Sequence, residues 1–192
     1  VFEIPGTTPY GYGVVKLDRE SNVVWKSPLR ANHLLGVDPE GNIYVLHHAY
    51  RDTSKRPVPN NPQLGAQETP KILEEKIAKL SPDGETLQSF SMLESLATSE
   101  FSAALETFPT EEDKHIYHEA SWDTLHPNDI EVVTPALAEQ VPVLEPGHAI
   151  VSFRTLDALV AFDFETEKPV WMSRGYWRRQ HDPDILEDGN IL

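Results

Sequence analysis

Three histidines, an asparagine and an arginine in this chain have the types and spacing to handle an anion. His33 and His181 each open the pattern His-x7-Gly-Asn-Ile, and a third histidine, His126, begins "HPNDIEVV". His126 and Asn128 stand at i and i+2, which on a strand puts both side chains on one face, and Pro127 biases His126 towards an extended backbone. Arg154 follows the apolar run Ala149–Phe153 and offers a planar fork of donors suited to the oxygens of sulfate, phosphate or carboxylate. Taken singly, a histidine at a strand start is more simply a satisfied structural group, and an arginine a surface ion pair. Their coincidence in register points instead to five donors, His33, His126, Asn128, Arg154 and His181, converging on one pocket.

The elements that must position them are repeated. "VVKLDRESNVVW" from Val14 resembles "LVAFDFETEKPVW" from Leu159, and "HLLGVDPEGNIYVL" from His33 resembles "HDPDILEDGNIL" from His181. A third, degenerate copy begins at "KIAKLSPDGETLQSF", keeps its histidine in "LHPNDIEVV" and recovers the strand at "GHAIVSF". Period-two alternation through Val15, Leu17, Val23 and Trp25, with turn chemistry at Asp18–Asn22, Ser81–Gly84, Gly41-Asn42 and Gly189-Asn190, predicts a meander of short antiparallel strands. Units of about 40 to 50 residues that cannot bury both faces alone are the signature of a β-propeller. The predicted class is therefore all-β, a propeller of four-stranded antiparallel blades, with residues 1–192 forming a partial domain of about three blades. In that ring the matching histidines lie at equivalent positions near the central channel, whereas Trp25 and Trp171 read as aromatics that pack the blades.

Two insertions interrupt the plan. Residues 51–75, beginning with the Pro- and Asn-rich Arg51–Gln67, read as an exposed loop, and 91–108 as one or two short helices with Pro109 just beyond. These helices are expected either to cover the site as a lid or to decorate a blade edge. The Arg178-Arg179 pair reads as solvated or paired with acidic surface, with one of the two able to reach the channel.

Bulk properties narrow the function. A net charge of -15 argues against nucleic acid and anionic membrane surfaces, so an anionic ligand needs a local cluster of donors. Cysteine is absent, which removes disulfides and thiolate metal sites. His115, His118 and Glu119 lack the spacing of a metal-binding helix, and no metal or cofactor is expected. There is no Gly-rich phosphate loop and no Gly-x-Ser-x-Gly elbow. The apolar runs are far shorter than the roughly 18 residues of a spanning helix, so membrane association is expected only through a segment outside this sequence.

"WDTLHPNDIEVV", "AIVSFRTLDALVAFD" and "WRRQHDPDILEDGNIL" resemble successive motifs of the arylsulfotransferase family, over most of Val14 to Leu192. The resemblance implies transfer of a sulfuryl group from a phenolic sulfate ester to a phenol, independent of a nucleotide sulfate donor, in a periplasmic or otherwise exported protein. It implies His181 of the Gln-His motif as the nucleophile that becomes sulfated, and it matches His126, Asn128, Arg154 and His33 to the other site residues. His181, Arg154 and His126 are thus expected to be catalytic, and His33 and Asn128 to bind substrate. The chain departs from the family at Phe153-Arg154-Thr155, where Ser-Arg-His is frequent, and at Asp129, where Ser is frequent. Alternative readings of the same donors are a propeller that binds an anionic ligand or protein partner without turnover.

Overall fold

The computed structural model describes residues 11–59, 71–107, 124–175, 177–186 and 188–192. The chain is mostly β, and its sheets are antiparallel. β1 (Val14–Leu17) and β2 (Val23–Ser27) form a two-stranded hairpin. β3 (Ala31–Val37), β4 (Ile43–Asp52), β5 (Lys71–Leu80) and β6 (Thr86–Ser91) form one four-stranded meander in sequence order. β7 (Pro127–Val132), β8 (Ala149–Phe153), β9 (Ala158–Asp163) and β10 (Lys168–Arg174) form a second.

The hairpins close as their sequences dictate. Asp38 Oδ1 accepts the Asn42 backbone N–H at 2.8 Å and Asp38 Oδ2 accepts from Asn42 Nδ2 at 2.8 Å, with Gly41 between them at φ 85°. Asp18 binds Asn22 in the same way, so one aspartate-to-asparagine clasp serves two successive turns. Trp25 is the packing aromatic its position suggested. Its Nε1–H donates to the Pro82 carbonyl at 3.0 Å, and its ring lies over Gly84, where a Cβ would come within 2.6 Å of the indole.

The two larger sheets meet edge to edge through β3 and β7. Gly36 allows that approach, because a Cβ there would sit 2.7 Å from Val132 Cγ2. The main core lies between the sheets and contains Tyr44, Leu46, Ile77, Phe90, Val151, Phe153, Val160 and Phe162. α1 (Met92–Ala97), capped by Ser91, packs into this core with Met92, Leu93, Leu96 and Ala97 fully buried. Ser95 Oγ donates to the Glu167 carbonyl and Lys168 Nζ to Thr98 Oγ1, so the helix staples one sheet to the other. A 3-10 turn follows at Ser102–Thr107.

The insertion expected over 51–75 is narrower than the sequence suggested. β4 continues to Asp52 and β5 begins at Lys71. Arg51 is buried, its guanidinium on Glu74 at 3.1 Å and on the carbonyls of Arg56 and Pro57 at 2.8 and 2.7 Å. Composition pointed to a loop, but an arginine paired with a carboxylate and bonded to two carbonyls is at home in a core. α2 (Pro135–Gln140) was unread in the sequence despite its capping Thr134 and the proline at its first turn. No helix among the described residues is long and apolar enough to cross a membrane. His115, His118 and Glu119 lie outside the described residues.

Candidate active site

Each candidate histidine stands where a segment enters, or approaches, the edge where the sheets meet. His33 is the third residue of β3, and His126 immediately precedes β7. Their rings lie 5.3 Å apart, tilted by 57°. Both residues adopt left-handed backbone, at φ 52° and 49°. For His126 this corrects the expectation drawn from Pro127, and the register shift between Pro127 and Asp129 breaks the simple alternation of His126 with Asn128. The backbone is turned at both strand entries, as happens where surrounding contacts outweigh local preference.

Those contacts begin at Glu75, which the sequence reading missed. It is buried, at 1% exposure, and its carboxylate accepts from Thr124 Oγ1 at 3.0 Å and from the Leu125 N–H at 3.3 Å. The carbonyls of Leu125 and His126 then accept the N–H groups of Thr155 and Arg154, at 3.3 and 3.1 Å. A carboxylate on β5 therefore fixes the segment carrying His126, and that segment fixes the turn carrying Arg154.

Arg154 is half-buried. Burial lowers its pKa from the ordinary arginine value, the nearby Arg179 guanidinium adds to that, and Asp157 opposes both. Of the arginine pair, Arg178 is exposed, whereas Arg179 is half-buried and its backbone N–H donates to Asp157 Oδ1 at 2.7 Å. Two guanidiniums in one neighbourhood favour an anion there.

His181 is exposed, and its Nδ1 lies 2.9 Å from the Arg179 carbonyl oxygen. A carbonyl only accepts, so the hydrogen belongs on Nδ1, and a neutral ring then presents its lone pair at Nε2. The intervening Gln180 is anchored on both sides. Its amide Nε2 reaches Ser152 Oγ, the Phe153 carbonyl and the Ala158 carbonyl at 3.1, 3.2 and 3.0 Å, and its own carbonyl accepts from Asn128 Nδ2 at 2.7 Å.

Asn128 is buried, and that bond takes one of its two amide hydrogens. Its Oδ1 has no hydrogen-bond partner among the described residues. Beside it, Asp129 is buried, and burial followed by Asp182 and Asp184 raises its pKa; Glu131 is raised for the same leading reason. The set thus forms a linked series: His33 to His126 through their rings, His126 to Arg154 through backbone, Arg154 to Arg179 by proximity, and Asn128 to the His181 loop.

In the sequence Gln180 stood out only as the first residue of the Gln-His motif, with no role of its own.

One comparison with known families bears on this constellation: the model for arylsulfotransferase (ASST) matches residues 1–191, essentially the whole chain. No curated protein matches it.

Proposed function

The chain belongs to the arylsulfotransferase family, and we propose that it carries a sulfuryl group from an aryl sulfate ester to a phenol through a sulfated His181. The observation that carries this reading is the bond from His181 Nδ1 to the Arg179 carbonyl, which directs a lone pair to Nε2. Family membership supports aryl sulfotransfer in general. The residue roles follow the family resemblance, and the bonds described around His181, Arg154 and Asn128 support them.

In the first half-reaction Nε2 of His181 attacks sulfur, the N–S bond forms, and the bond from sulfur to the aryl oxygen breaks. The electron pair leaves with the phenolate, which takes a proton from His126 or His33. Nδ1 keeps its hydrogen on the Arg179 carbonyl, so the positive charge that sulfation brings to the ring falls against an acceptor. Arg154 holds the sulfuryl oxygens, and such a donor contributes on the order of 3 kcal/mol to the transition state. The second amide hydrogen of Asn128 is available to the same oxygens. In the second half-reaction a phenol gives its proton to the histidine that supplied one, its oxygen attacks sulfur, and the N–S bond breaks to restore neutral His181. The two half-reactions share one site, so ping-pong kinetics follow without a nucleotide donor.

The two four-stranded sheets are read as blades of a β-propeller, a reading supported by the contact of β3 with β7 and by the repeated histidine at each entry. Periplasmic or other export is proposed on family grounds. The test is incubation of the intact protein with nitrophenyl sulfate and no nucleotide. A burst of nitrophenol, with label moving to a second phenol, is expected. Binding of the ester without release of nitrophenol would favour the alternative, a receptor for anions built from the same donors.

A further inference from the structure

Gln180 has more bonds than a residue that merely precedes the nucleophile needs. Its amide nitrogen carries two hydrogens and faces three acceptors: Ser152 Oγ at the end of β8, the Phe153 carbonyl, and the Ala158 carbonyl at the start of β9. Two of those acceptors are carbonyls, which cannot donate, so the amide has one permitted orientation. The residues it spans, 153 to 158, contain Arg154 and the Asp157 that binds the Arg179 N–H. One side chain therefore closes the turn that carries Arg154 and holds the loop that carries His181. On the other side of the loop, the Gln180 carbonyl takes the Asn128 amide at 2.7 Å. The backbone is turned tightly here, with Arg179 at φ 54° and Asp182 at φ 53°, so its shape depends on these contacts.

We propose that Gln180 is the positioning residue for this nucleophile: it locks the Arg179–His181 loop so that the His181 ring keeps its Nδ1–H on the Arg179 carbonyl. The proposal rests on the assignment of His181 as nucleophile made above. Gln180 itself touches no reacting atom. It acts by setting the distance between His181 and Arg154, both of which are placed by its one amide.

Two variants test this in the intact protein. Gln180→Met keeps the length of the side chain and removes both hydrogens. Sulfation by nitrophenyl sulfate is expected to slow about a hundredfold, the scale of a misplaced catalytic group, with the KM for the ester within about twofold. ¹⁵N spectra of labelled His181 should change from one Nδ1–H tautomer to a mixture. Gln180→Glu keeps the shape but sets a carboxylate against two carbonyls, so the ratio of its sulfation rate to that of the parent should rise as pH falls and the carboxyl gains a hydrogen to donate. If Gln180→Met does not fold, this pH profile and the tautomer of Gln180→Glu decide alone. Sulfation within threefold of the parent together with an unchanged His181 tautomer, in either folded variant, would overturn the proposal. Failure of the nucleophile assignment looks different: His181→Ala would still turn over, while the tautomer spectra would still report whether Gln180 sets the ring.

Discussion

Asn128 Nδ2 donates to the backbone carbonyl of Gln180 at 2.7 Å, joining the start of β7 to the loop that carries His181. Asn128→Asp places an oxygen against that carbonyl and removes the bond. The expected result is a loss of turnover of about a hundredfold with a smaller effect on ester binding, because the nucleophile moves while the cations stay. Steady-state kcat and KM for an aryl sulfate check it; a rise in KM alone would mean that Asn128 acts only by binding substrate.

Arg154→Lys preserves charge and loses the planar fork. Transfer should slow by roughly a hundredfold, as for one missing oxyanion donor, and thermal stability should change little because the residue is half-buried. Single-turnover rates with nitrophenyl sulfate make the comparison.

Glu75 is expected to matter to both stability and catalysis. Glu75→Ala leaves the Thr124 hydroxyl and the Leu125 N–H buried without their carboxylate, a loss on the order of 2 kcal/mol or more. Denaturant midpoints measure that loss. In folded Glu75→Ala, phenol release should also be slowed, because the same segment places His126.

Two buried groups give opposite pH signatures. Burial, with Lys76 and His48, lowers the His47 pKa to about 4, so the unfolded chain takes up a proton near pH 6.5 that the folded chain refuses. Its contribution is present above pH 6.5 and is lost as pH falls towards 4, on the order of 3 kcal/mol across that window. His47→Gln should flatten that slope in pH-dependent thermal melts. Asp129 has a raised pKa, first through burial and then through Asp182 and Asp184. A raised carboxylate favours the folded state below its unfolded pKa of 3.8 and loses that contribution as pH rises through the folded value. Asp129→Asn should therefore stabilise the protein at pH 8 and have little effect near pH 4.

Strands and turns were legible because their signals are local. Asp38 and Asn42 announce a hairpin five residues long, and the matching Asp18 and Asn22 repeat it, so the meander followed from sequence alone. The repeat matched His33 to His181 and kept a histidine at His126 in its degenerate copy, and the rings of His33 and His126 lie 5.3 Å apart. What failed were inferences from one neighbour. Pro127 argues for an extended His126, but bonds from Glu75 and Arg154 to that segment accompany a left-handed residue there. Arg51 sits in polar sequence and yet is buried, since its partner Glu74 is 23 positions away. Gln180 and Glu75 act through partners on other strands, and no local pattern marks such residues.

The central claim, that His181 accepts the sulfuryl group, is tested most directly by mass spectrometry of the intact protein after brief exposure to nitrophenyl sulfate without an acceptor phenol. The expected result is a gain of one sulfuryl group, labile in acid, that maps to the peptide containing His181 and passes to phenol on addition of acceptor. His181→Ala should show neither adduct nor transfer while retaining its fold. Transfer that persists in folded His181→Ala, or an adduct that maps to another residue, would contradict the account.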